Sequence, residues 1–321
     1  MDLVSVLRLA YLGATSVVLL VYLIPLLRER LLAYGPRAAP STTLSAEREK
    51  AAREQPDTEP FTILLDRLAE IKVPHSWFTS FYAVSVGCSL FWASQVVTGG
   101  PAYRAVVQLT ADRSVSMTFR QVIVAWAMMM IQASRRLYEC LAISNPSSSQ
   151  MWFGHWLIGI FFYTGMSIAV WVEGIPALQE HSFSLNDLTI AAPTLRTFVS
   201  TLLFILASGF QYDCHAYLAS LKSTTSSSKS DEPRKSDYKL PEHPAFSSLI
   251  APHYTAECLI YVSLALLAAP RGVWMNWTLV CALIFVVVNL GVTADGTKSW
   301  YETRFGKKAV EGKARMIPLV W

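Results

Sequence analysis

Four groups of polar residues interrupt an otherwise apolar chain of 321 residues, and their spacing limits the chemistry open to them. The first is the run Gln132-Ala-Ser-Arg-Arg-Leu-Tyr-Glu139. Gln132, Arg136 and Glu139 recur at helical spacing and share a face, with Arg135 and Tyr138 beside them. The plain reading is a positive-inside anchor with a satisfied ion pair, but anchoring needs only one or two cations, so this crowding points to a functional site. The second is Gln211 with His215, four apart on one helix face at the end of an apolar run. The third, after Tyr238 and Pro241, is His253 with Glu257, which open another apolar run. A carboxylate that enters hydrocarbon requires a partner from another helix or from a ligand, because leaving it alone costs several kcal/mol. The fourth is the tail, where Trp300, Tyr301 and Arg304 precede Lys313 and Arg315. Aromatics mixed with cations make either an interfacial tail on anionic lipid or a basic collar for phosphates.

The elements that position these groups must be membrane helices. Hydrophobic residues are 53% of the chain and charged residues 16%, against about a quarter charged in soluble domains. The apolar residues fall in seven blocks, at 3–27, 76–98, 115–133, 151–172, 195–212, 253–269 and 273–293. Each has the length that crosses a bilayer as a helix, about 17 to 25 residues. The expected fold is all-α: a polytopic membrane protein of about seven transmembrane helices, with a cytosolic-facing C-terminal cofactor lobe. Residues 1–75 form a signal-anchor helix and loop, 76–194 the substrate-side helices, and 195–321 the C-terminal domain. Most of the 27 Lys and Arg lie after the first, third and fifth blocks and in the tail, which places the C-terminus in the cytosol and the N-terminus in the lumen or outside. Stretches 35–60 and 223–237 are polar, lack periodicity and are expected to be disordered. The five cysteines have neither disulfide nor metal-ligand spacing, so no metal is expected. The net charge of +4 does not indicate nucleic acid, and no Gly-x-Gly-x-x-Gly follows a strand, which excludes a Rossmann crevice.

In their order, Gln211, His215, Tyr238-x-x-Pro241, Phe246, Pro252-His-Tyr-x-Ala-Glu257, Trp300-Tyr301-x-x-x-Phe305 and Lys313-x-x-Met-Ile-Pro318 resemble the C-terminal domain of the steroid 5α-reductase family. The 132–139 run and Val73-Pro-x-x-Trp-Phe-Thr79 are similar to its polyprenol (polyprenal) reductase branch. The resemblance implies NADPH as cofactor, with Gln211, His215, Tyr238, His253, Glu257, Tyr301 and Lys313 around it and Arg135 or Arg136 on the phosphate side. It implies reduction of the α-isoprene double bond of a polyprenyl lipid in the endoplasmic reticulum membrane, for dolichol and protein N-glycosylation. Three positions depart from the family: Lys313-Ala314-Arg315 replaces Arg-Lys-Ala, Thr297-Lys298 stands where a histidine is usual, and Ala133 replaces the steroid branch's substrate tyrosine. The last argues against a steroid.

Hydride adds readily only to an electron-poor carbon, which favours polyprenal over polyprenol. The reaction needs a donor at the carbonyl oxygen and a proton for the α carbon. Tyr138 and Glu139 are the candidates and His75 a third; Glu139 serves only if burial keeps it protonated. An isoprenylcysteine-type methyltransferase and a seven-span receptor or transporter are the alternative readings.

Overall fold

The computed structural model describes residues 1–32, 60–111, 115–143, 149–184, 187, 192–223 and 239–318. Almost all of the two stretches expected to be disordered lies outside these residues; Pro60, at the edge of the first, instead opens a helix.

Each of the seven apolar blocks forms a helix. In chain order the longer helices are α1 (Leu3–Leu23), α2 (Pro60–Glu70), α3 (Thr79–Thr98), α4 (Pro101–Leu109), α5 (Phe119–Tyr138), α6 (Phe153–Ala169), α7 (Leu195–Ser223), α8 (Pro252–Leu267) and α9 (Trp277–Phe305). Helices α2 and α4 are additional, short and amphipathic, and were not among the seven blocks. The all-helical expectation has one exception, a small antiparallel ribbon of β1 (Lys72–Pro74) and β2 (Gln150–Trp152) that pairs Val73 with Met151. Both of those side chains are buried.

Among the described residues, four helices are long and apolar enough to cross a membrane: α1, α3 with the turn before it, α6 with the turns after it, and α9. By this measure the expected count of seven is not reached. The other three, α5, α7 and α8, are the ones that carry the polar runs 132–139, 211–215 and 253–257. Helix α8 has only 16 residues, and Ala256, Ile260, Tyr261, Leu264, Ala265 and Leu267 on it are buried by protein.

Local chemistry sets the helix ends. Gly99 stops α3 with φ of 58°, a left-handed conformation that a residue with a Cβ adopts at a cost. Thr118 and Gln121 form a reciprocal capping box on α5. The Gln121 side chain also donates to the carbonyls of Leu267 (2.7 Å) and Ala269 (2.8 Å), satisfying the end of α8. Buried Asn276 caps α9 through Leu279 N–H and donates to Ala268 O at 3.1 Å.

At the same end of the bundle, Arg8 of α1 donates to Glu173 (3.0 Å) and Thr278 (3.0 Å), and Thr278 donates to Glu173 at 2.6 Å. Glu173 is 4% exposed, so removing Arg8 takes a counter-charge from a buried carboxylate. Arg8→Ala should lower stability by about 3 kcal/mol, measured by reversible unfolding in detergent, and Arg8→Lys should recover part of that loss.

Candidate active site

Helix α5 ends in a π-helical turn, Glu139–Ile143, which places Glu139 under two arginines of the turn before it. Glu139 is 2% exposed. It pairs with Arg135 and Arg136, and His215 Nδ1 lies 2.8 Å from its Oε2. The tautomer protonated at Nδ1 donates to that oxygen. Burial alone raises the Glu139 pKa, but the His215 hydrogen bond and the charges of Arg136 and Arg135 outweigh it and hold the carboxyl down at about 2. Its neighbours thus favour the carboxylate over the protonated donor expected from the sequence.

Next to this cluster is a second network, built on two glutamine amides. Gln132 of α5 donates to Gln211 of α7 (3.0 Å) and to Glu257 of α8 (3.3 Å), and Gln211 also donates to Glu257. Arg135 donates to both Gln132 (2.8 Å) and Gln211. The partner that Glu257 requires comes from two other helices, as a pair of amides. Arg135, Arg136, Gln211, His215 and Glu257 are thus brought together as expected.

The remaining expected residues divide. His253 lies next to the cluster, its ring 5.3 Å from His215 and 6.3 Å from Phe246. Phe246 lies 5.8 Å from Tyr217, and the Tyr301 ring packs between Trp300 at 5.3 Å and Phe305 at 5.8 Å. Lys313 is fixed by its backbone: its carbonyl accepts from Lys298 at 2.7 Å, while Ala314 and Arg315 lie along Ser248–Ala251. Arg315 pairs with Asp295, which weakens the reading of the tail as a free phosphate collar. Tyr138 is 57% exposed and is not in the cavity wall. His75 stacks on Phe78 at 5.8 Å and is likewise outside the wall. Tyr238 lies outside the described residues.

A cavity of about 140 Å³ joins the polar cluster to an aromatic sleeve. Arg136, Gln211, His215 and Glu257 contribute its polar lining and Phe78, Phe81, Phe162 and Phe285 its aromatic lining. An engineered cavity of about 150 Å³ holds one benzene, which sets the scale of this space. Gly159 shapes it: a Cβ there would meet the Phe81 ring at 2.6 Å.

Sequence reasoning missed the tyrosines of this lining. Tyr82, Tyr163 and Tyr261, from α3, α6 and α8, all line the cavity. The Tyr82 hydroxyl accepts from Arg136 Nε at 3.1 Å, the Tyr163 ring lies 5.3 Å from that of Tyr82, and Tyr261 shares the same cavity wall. A lone tyrosine in an apolar helix carries no signal until three helices bring theirs to one cavity.

A nicotinamide nucleotide was implied by the resemblance, and the residues present fit one. Arg135 Nε and His253 Nδ1 are buried without a hydrogen-bond partner. Such groups are costly unless a ligand satisfies them. Glutamine and glutamate side chains suit a carboxamide, arginines suit phosphate, and the aromatic file from His253 to Tyr217 suits flat rings. Among the described residues there is no metal cluster.

Glu139→Gln should destabilise the protein at neutral pH, because Arg135 and Arg136 lose their counter-charge. A depressed carboxyl contributes stability above its unfolded value, near 4.5, and loses it as pH falls through its folded value near 2. The gap between wild type and variant should therefore narrow over that window, as read from unfolding midpoints against pH.

Residues 149–321, which hold α6 to α9 and the tail, match the profile described as 3-oxo-5-alpha-steroid 4-dehydrogenase. A Caenorhabditis elegans protein named polyprenal reductase is 28% identical over 284 residues, 84% of this chain and 84% of that protein. The Xenopus tropicalis polyprenal reductase is 27% identical over 78% of this chain and 80% of its own length. With the Xenopus laevis polyprenal reductase the match, at 27% identity, spans 62% of this chain and 59% of that protein. With the profile covering more than half of its length and including Gln211, His215, His253 and Glu257, the chain belongs to the 3-oxo-5-alpha-steroid 4-dehydrogenase family.

Proposed function

We propose that this protein is an NADPH-dependent reductase of the α-isoprene double bond of polyprenal, embedded in the endoplasmic reticulum membrane with its C-terminus cytosolic, and that it serves dolichol synthesis and protein N-glycosylation. The observation that carries the reading is the cavity, whose lining combines a charged, amide-rich group, an aromatic sleeve and three tyrosines. Gln132, Gln211, Glu257, His215 and His253 hold the nicotinamide end, and Arg135 and Arg136 face the phosphates. When bound, the reduced nicotinamide supplies hydride to the β carbon of the enal.

The protein's own part is to manage charge and one proton. Tyr82, held by Arg136, donates to the aldehyde oxygen, where negative charge grows as the double bond is reduced. Arg136 keeps the phenolic oxygen compatible with that charge. The α carbon takes its proton from water, passed along the Tyr163 and Tyr261 hydroxyls, so that one hydride and one proton are added in all. The aromatic sleeve excludes water from the rest of the head. Tyr82 thus takes over the donor role that Tyr138 and Glu139 were expected to fill.

Purified protein given NADPH with either polyprenal or polyprenol should yield the α-saturated aldehyde from polyprenal alone, as separated by mass. Stabilisation by S-adenosylmethionine in place of NADPH would instead support a methyltransferase. Tyr82→Phe should lower kcat about a hundredfold while leaving the NADPH requirement unchanged. Glu257→Gln should do the reverse, weakening NADPH binding by about 1.5–3 kcal/mol, as titrated by nucleotide fluorescence.

A further inference from the structure

Among the described residues, nothing covers the apolar side of helix α2. Phe61, Leu64 and Leu68, with Ile71 just beyond the last turn, recur at helical spacing and are 40% to 56% exposed. Asp66 and Glu70 occupy the opposite arc, where Ile63 is also exposed, Arg67 flanks Ile71, and Leu65 is the residue of the helix buried against the protein. A two-faced helix of this kind is stable when its apolar arc is covered.

The position of α2 indicates what covers it. Asp66 pairs with Arg30 at 2.5 Å, and Arg30 follows α1 directly, where Leu23 and Ile24 end a membrane-crossing helix with apolar surface exposed. The charged residues Arg28 to Arg30 belong at the headgroup level, and α2 is tied to that level. Trp152 donates to Leu68 O at 2.8 Å, and Trp77 packs on Trp156 at 5.2 Å. Tryptophans gather at this depth because the ring is apolar and the N–H is polar. The apolar arc is thus continuous with the lipid-facing surface of the bundle.

The same segment leads to the cavity. From α2 the chain passes through β1 to Phe78 and Phe81, and Trp152 of β2 leads to His155, Ile158 and Gly159; all five of these residues line the cavity. We propose that α2 lies in the plane of the bilayer, with Phe61, Leu64, Leu68 and Ile71 at the acyl boundary, and guides the head of a membrane-borne isoprenoid into the cavity between α3 and α6. The guiding role rests on the reductase reading; the placement of the helix does not.

The test uses the full chain in phosphatidylcholine nanodiscs with a photo-crosslinking amino acid at position 64 or 68. Adducts on phospholipid are expected. Adducts on a second copy of the chain or on another protein, or none above the level at solvent-facing position 66, overturn the placement. In parallel, a Leu64→Gln, Leu68→Gln variant should reduce bilayer-borne polyprenal about tenfold more slowly, yet reduce prenal, the short water-soluble enal, at the wild-type rate. Equal slowing on both substrates, or none on either, overturns the guiding role. If the wild type reduces neither aldehyde the reductase reading fails and the guiding role with it, while the crosslinks still decide where α2 lies.

Discussion

A buried carboxylate governs the architecture of the polar half. Glu139 has almost no exposed surface, and an ion in that position destabilises a fold unless cations and hydrogen bonds surround it. Arg135 and Arg136 supply the charge from the turn before it, and His215 of α7 brings Nδ1 within hydrogen-bond distance of both Glu139 and Arg136. Once Arg135 is drawn to Glu139, its other nitrogen reaches Gln132 and Gln211, and through them Glu257 of α8. Three helices are therefore registered against one another by polar contacts and not by apolar packing alone.

This explains the division of labour among the helices. The four that meet the length and hydropathy of a membrane crossing carry apolar exterior, and α3, α6 and α9 among them lend aromatic residues to the cavity, while α5, α7 and α8 carry its buried polar cluster. Helix α8 can be short because protein, not lipid, surrounds it. The C-terminal residues close the polar end: Ala314 and Arg315 run beside Ser248–Ala251, and Asp295 joins Arg315 to Tyr22 of α1. These bonds bring the first helix and the tail together on a side chain of α9.

Helix positions were legible in the sequence, since runs of apolar residues of sufficient length leave little alternative. The pairing of Glu257 was legible as a requirement but not as a solution: the carboxylate had to have a partner, and only the fold shows that two glutamines provide it. His75 and Tyr138 were chosen for their chemistry and adjacency in sequence, and adjacency does not fix direction; Tyr138 is on the outer side of the helix that carries Arg135 and Arg136 inward. Tyr82 went unseen for the opposite reason. Its importance comes from Arg136, Tyr163 and Tyr261, each on a different helix, and no local pattern records such a meeting. Helix α2 was hidden because its apolar residues are too few for a block and its neighbouring residues are polar.

The two unmatched nitrogens, Arg135 Nε and His253 Nδ1, have a consequence for the lifetime of the molecule. A ligand that satisfies them binds the folded chain and not the unfolded one, so its concentration adds to folding free energy by mass action. Newly made chains in a compartment poor in that ligand would persist in a less stable form and be removed faster by quality control. Abundance of the protein would then follow the supply of its small-molecule partner, with no dedicated regulator and no change in synthesis.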